Sequence, residues 1–163
     1  MKSKNIIIVL ILLLSVYSVH SVKIILGERG KNWYSVDAGE IKSWNISNFD
    51  ISYIEFSIAK HTLYPEVKIM LLNISSGNVE AENAILYFNV TYNNINVNST
   101  TYEFRVNNTF AQNKEMVLSV FKSEWIDLIT FKSRNDSLYT YYRATATNAT
   151  KFAIRIKNII EEK

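Results

Sequence analysis

Apolar and polar residues alternate with a period of two along most of this chain, which predicts β-strands with one buried face. Ile54, Phe56 and Ile58 alternate with Glu55 and Ser57. Leu86, Phe88, Val90 and Tyr92 oppose Asn89 and Thr91, and Tyr102, Phe104 and Val106 oppose Thr101, Glu103 and Arg105. Near the end, Phe152, Ile154 and Ile156 alternate with Ala153, Arg155 and Lys157; earlier, Trp44 and Ile46 share a face opposite Ser43 and Asn45. Two stretches, 67–74 and 116–122, are apolar on both sides, which predicts strands covered on both faces. The densest run is 116–156, read as three or four strands in succession.

Polar segments separate the runs. Residues 27–31 (GERGK) read as a turn after a short strand at 22–26. Gly39 joins candidate strands 33–38 and 41–46. Pro65 stands where a strand edge tolerates it. Residues 75–83, 93–100 and 107–115 read as loops, and 123–129 as a bend or one helical turn capped by Ser123 and anchored by Trp125. About nine or ten short strands without interleaved helices predict an all-β fold, a single antiparallel β-sandwich.

The ends differ from this pattern. Lys2 and Lys4 precede an apolar run at 6–14, and Val19-His20-Ser21 suits a cut after Ser21 or Ser18. Residues 1–21 therefore read as a secretory signal segment. The uncharged stretch 5–22 is at the lower edge of a membrane span, so a retained signal anchor is the alternative. The sandwich occupies 22–157, and 158–163 forms a charged tail.

Composition narrows the class. The 163 residues are 48% apolar and 13% aromatic, with ten Tyr and eight Phe, which favours strands. The formal charge is +3. Without Lys2 and Lys4, 16 basic side chains face 15 acidic ones, and no basic stripe marks a nucleic-acid partner. The chain has no Cys. An exported domain of this size without disulfides points to a prokaryotic or archaeal source.

From Ile51 onward the residues resemble a known family. Ile51-Ser52-Tyr53-Ile54-Glu55-Phe56-Ser57-Ile58 and Val67-Lys68-Ile69-Met70-Leu71-Leu72 make two strands. Val120-Phe121-Lys122-Ser123-Glu124-Trp125-Ile126-Asp127 follows, then Tyr139-Thr140-Tyr141-Tyr142-Arg143-Ala144, then Phe152-Ala153-Ile154. This succession is similar to the PGF-pre-PGF domain of archaeal surface proteins, over about two thirds of the mature chain. The family's Pro-Gly before the last aromatic is absent; Asn148-Ala149-Thr150-Lys151 stands there, and the middle strand is shorter. The resemblance implies an archaeal envelope or extracellular domain and brings no catalytic residues.

Seven Asn-x-Ser/Thr triplets begin at Asn45, Asn73, Asn89, Asn98, Asn107, Asn135 and Asn148. With 18 Asn and 26 Ser or Thr in 163 residues, chance would give about three. All seven fall on outward strand positions, strand ends or turns, where a glycan needs them.

Candidate chemistry is otherwise sparse. After the signal one His remains, His61, too few for a metal centre, and no nucleophile-elbow motif accompanies it for a Ser-His-Asp arrangement. Glu55, Glu103 and Glu124 lie near aromatics but read as solvated strand-face charges rather than a glycosidase pair. Glu80-Glu82 and Asn135-Asp136 are weak calcium candidates. Trp33, Trp44 and Trp125 would stack on sugars if exposed, and read first as core. No cofactor is expected.

Two function classes follow. The first is a non-enzymatic, exported, glycosylated structural or adhesion protein of an archaeal cell surface. Its partners would be copies of itself or other envelope proteins, joined by β-strand addition through residues 22–26. The second is an extracellular carbohydrate- or ligand-binding module.

Overall fold

A computed structural model describes residues 24–73 and 79–157. The signal segment 1–21, residues 22 and 23 and the tail 158–163 lie outside them. The chain is nearly all strand: β1 (Ile25–Asn32), β2 (Ser35–Val36), β3 (Ile41–Asn45), β4 (Ile51–Ile58), β5 (Thr62–Leu63), β6 (Glu66–Leu72) and β7 (Ala84–Asn93) come first. Then follow β8 (Val97–Asn107), the helix α1 (Asn108–Ala111), β9 (Met116–Phe121), β10 (Trp125–Asp127), β11 (Thr130–Asn135), β12 (Tyr139–Ala146) and β13 (Lys151–Ile156). Among the described residues, ten of the thirteen strands have five or more residues, against the nine or ten that the alternation predicts; β2, β5 and β10 are shorter.

Every strand pairing is antiparallel. A six-stranded sheet runs β1-β6-β7-β13-β9-β10, a five-stranded sheet β11-β12-β8-β4-β3, and β2 and β5 form a small ribbon. The two large sheets pack face to face. The alternating residues do this: Ile54, Phe56, Tyr102, Phe104 and Tyr142 from one sheet meet Val67, Ile69, Phe88, Val90, Phe152 and Ile154 from the other. At the centre Phe88 and Phe152, directly opposite on β7 and β13, stack at 4.7 Å and 7°, and Tyr102 meets Phe152 at 4.7 Å across the sheets.

The two doubly apolar strands are covered on both sides. Met116 to Val120 are all buried in β9. In β6, Val67, Ile69 and Leu71 face the main core. Leu72 instead joins Tyr87, Ala153 and Ala81 in a second cluster on the outer face of the six-stranded sheet, against which Met70 and Trp125 pack. The Tyr87 hydroxyl donates to Glu80 at 2.6 Å and accepts from the Ala81 amide at 2.9 Å. Burial first, then the Glu80 carboxylate, pushes this phenol up to about 12 from 10.0. A phenol raised in the folded state contributes stability that is lost as pH rises from the unfolded value toward the folded one. Alkaline titration at the tyrosinate band is therefore expected to show Tyr87 ionising late, with stability falling between pH 10 and about 12. Tyr87→Phe should flatten that fall.

Four local expectations are corrected. Residues 27–31 do not turn; they continue β1 along β6. Gly27 serves close approach: a Cβ there would meet the Phe49 ring at 3.0 Å, and the Arg29 guanidinium lies 5.0 Å from the same ring. The 93–100 loop is shorter, because Val97 and Ser99 pair with Ile58 and Ser57. Residues 107–115 contain α1, capped by Asn107, whose Oδ1 accepts from the Thr109 amide at 2.9 Å. Residues 123–129 are not helical: Trp125 to Asp127 form β10, a hairpin partner of β9.

Candidate functional site

The outer face of the five-stranded sheet carries a continuous row of side chains. Phe131, Arg143, Glu103, Tyr53 and Asn45 stand directly opposite one another on β11, β12, β8, β4 and β3. Glu103 is the centre. Its position on the polar side of a clean alternation predicts a solvated charge, yet it is only 2% exposed. One carboxylate oxygen accepts from Arg134 Nη2 at 2.9 Å and lies 3.1 Å from Ser52 Oγ. The other accepts from Arg143 Nε at 2.9 Å and lies 3.2 Å from Ser133 Oγ.

Two β-bulges make this possible. The register shifts between Ile51 and Tyr53 in β4 and between Lys132 and Arg134 in β11. A bulge re-aims side chains by adding a residue to one strand. In β11 it lets the adjacent residues Ser133 and Arg134 both reach Glu103; in β4 it turns Ser52 toward it. Burial alone would raise the carboxyl, but the hydrogen bonds from Arg134, Arg143 and Ser52 outweigh it and hold its pKa below 4.5.

The guanidinium groups are held in turn by aromatic faces. Arg134 lies 3.4 Å from the Tyr141 ring centre, Arg105 4.3 Å from Tyr139 and Arg143 5.1 Å from Tyr53. Chemically this is a saturated carboxylate, unable to reach a substrate as acid or base, under a firm surface of arginine and tyrosine. Of the other two glutamate candidates, Glu55 lies on β4 in the same sheet and accepts from the Tyr53 hydroxyl at 2.8 Å, and Glu124 lies in the turn between β9 and β10, in the other sheet. Nothing in the sequence linked Glu103 to arginines 31 and 40 residues away; only the strand order brings them together.

The sequons lie outside the core. Asn45, Asn73, Asn98, Asn107, Asn135 and Asn148 are exposed, and Asn89, on the outer face of β7, is half-buried. The Asn107 cap uses Oδ1 and leaves out Nδ2, the atom a glycan takes. Of the sequon at Asn73, the next two residues lie outside the described set.

The three tryptophans are half-buried. Trp33 meets Phe56 edge-on at 5.9 Å, and Trp44 also packs on the main core. Trp125 covers the outer cluster, 5.7 Å from Tyr87, and donates its indole N–H to the Val79 carbonyl at 3.0 Å. The exposed aromatic pair is a different one, Tyr34 and Tyr64, which touch edge-to-face at 5.2 Å while 74% and 65% exposed. Tyr64 adopts φ 51°, a left-handed conformation no sequence pattern announced.

The remaining candidates have structural partners. His61 contacts Asp37 at 2.6 Å in an exposed loop. Glu80 accepts from Tyr87. Asp136 accepts from the amides of Leu138 and Tyr139 and from the Tyr141 hydroxyl, which lower its pKa. Among the described residues no three His, Asp or Glu converge as metal ligands, and no helix is long and apolar enough to cross a membrane. Comparison with known proteins returns no matching family model, no matching curated protein and no matching solved structure.

Proposed function

We propose that this chain is an exported, N-glycosylated, non-enzymatic β-sandwich module of an archaeal cell surface, acting as a structural or adhesive subunit. The observation that carries the reading is the placement of the acceptors: none of the seven candidate asparagines is buried, although the strands that bear several of them are half core. The saturated Glu103 site supports a structural role over a catalytic one. Its partners are other copies or other envelope proteins, with membrane attachment only through a retained segment 5–22.

Strand addition belongs to the same proposal in an altered form. Ile25 to Asn32 already pair with β6 of the same chain, so they are not a free donor. β1 is instead a sheet edge, and the edge it turns away from β6 is the one a neighbouring strand would use. A tryptophan platform for carbohydrate receives no support from the half-buried positions of Trp33, Trp44 and Trp125.

The test is the intact mass and N-terminal peptide of the protein isolated from its native envelope. The expected result is a start near Val22 and added hexose mass, with the exposed Asn45, Asn98, Asn135 and Asn148 occupied ahead of the half-buried Asn89. A full-length, unmodified chain in the soluble fraction would overturn the proposal.

A further inference from the structure

A cleft of about 1030 Å³ opens between the loop that follows α1 and the inner side of β11 and β12. It is separate from the Glu103 face and from the tryptophans. Its volume is that of a small-molecule site, and its lining mixes polar and apolar surface in nearly equal parts. Gln112, Asn113 and Lys114 come from the loop, Lys132 and Asn135 from β11, and Tyr142 from β12.

Tyr142 is the informative residue. It is only 8% exposed, and its ring stacks on Phe104 at 5.4 Å and 18°. Its hydroxyl has no hydrogen-bond partner among the described residues, yet it is not among the buried polar atoms left unpaired. The phenol oxygen therefore surfaces where the side chain meets the cleft. A buried tyrosine normally satisfies its hydroxyl within the protein. Here Tyr92 and Tyr102 do so with each other at 2.7 Å, while Tyr142 keeps its donor for the cleft. Burial raises its pKa, so the donor is retained at neutral pH.

The charges lining the cleft do not cancel. Lys132 has no carboxylate partner among the described residues. Lys114 is held 3.7 Å from the Phe110 ring centre, which leaves its charge unneutralised. The one carboxylate in the lining, Glu115, is bound to Lys157 at 2.9 Å. Gln112 and Asn113 each offer both a donor and an acceptor. That is the complement of sugar hydroxyls, which also do both. A nucleotide would call for a ring free to stack, and the ring in this lining, Tyr142, is already stacked on Phe104.

We propose that this cleft binds an acidic saccharide, with its carboxylate on Lys132, its hydroxyls on the amides and one oxygen on the Tyr142 hydroxyl. Asn135 at the cleft rim is also a proposed glycan acceptor, so the hydroxyl contacts are assigned to Gln112 and Asn113 and the test uses the unglycosylated chain. The test is calorimetric titration of the full chain, made in a host that adds no glycans, with trigalacturonate and a hyaluronan tetrasaccharide, against neutral galactotriose. At least one acidic probe is expected to bind more tightly than the neutral one. Lys132→Gln and Tyr142→Phe should each weaken it about tenfold, the loss of one good hydrogen bond to a charged or polar group. Tyr142→Phe keeps the ring on Phe104 and removes no internal hydrogen bond, so its thermal midpoint should match the parent and separate lost binding from lost folding. Failure of both acidic probes to bind, or affinities unchanged in both variants, overturns the proposal.

Discussion

Phe152→Ala is expected to lower folding stability by about 3–5 kcal/mol, the range for removing a fully buried aromatic from a packed core. The position concentrates what holds the two sheets together. β13 lies inside the six-stranded sheet between β7 and β9, and Phe152 stands opposite Phe88 on one neighbour and Val120 on the other. Its ring stacks flat on Phe88 and touches Tyr102 of the facing sheet, both at 4.7 Å. Truncation therefore removes contacts in three directions and leaves a cavity framed by two β-sheet backbones, which cannot collapse easily. Phe152→Leu, which keeps much of the volume, should cost less, about 1–2 kcal/mol. Ile129→Ala is the control: Ile129 is 93% exposed, and a change there should stay within about 0.5 kcal/mol. Denaturant unfolding of the three variants decides it, since equal losses at Phe152 and Ile129 would deny the inter-sheet core its role.

The alternation that reveals these core positions is legible because strands bury every second residue. Ile54, Phe56 and Ile58, and Phe88 with Val90, could be assigned to one face without knowing their partners. Two-sided burial was equally legible in 67–72, where Met70 and Leu72 occupy the second face beside Lys68. Other features depend on neighbours that the sequence does not name. GERGK has a turn's composition, yet β6 supplies it with a full register of partners and Phe49 occupies the space over Gly27. KSEWID reads as a bend, and 122–124 are one, but Trp125 to Asp127 become a strand because β9 lies beside them. Tyr64 in its left-handed conformation, and the cleft between a loop at 112–115 and strands 20 residues later, likewise arise from tertiary placement. Glu103 is the sharpest instance. A glutamate between tyrosine and phenylalanine on an alternating strand looks solvated, and becomes a buried centre only through two bulges and two arginines on other strands.

That centre carries the second large effect. Removing both arginines, Arg134→Ala with Arg143→Ala, is expected to cost about 3–5 kcal/mol at neutral pH, because it leaves a buried carboxylate with serine hydroxyls alone. Glu103→Gln should cost less, about 1–2 kcal/mol. It removes the buried charge, and the arginine side chains, 52% and 39% exposed, can turn to water. The asymmetry distinguishes a buried ionic centre from an ordinary surface pair, in which either partner's loss would cost little and about equally. Acid gives the matching sign. Glu103 is held below 4.5 in the folded state, so its contribution is complete above the unfolded value and is lost as pH falls through the folded one. Stability of the parent should therefore decline below pH 4.5, with Asp136, also lowered, contributing to the same slope. Glu103→Gln should remove part of that decline. In the double arginine variant burial is unopposed and favours the neutral acid, so its deficit relative to the parent should shrink as the solution is acidified. Unfolding free energies of the parent and both variants, measured at neutral pH and again below 4.5, test this directly. A deficit in the arginine variant that is constant across that range would mean that Glu103 is not charged in the folded protein.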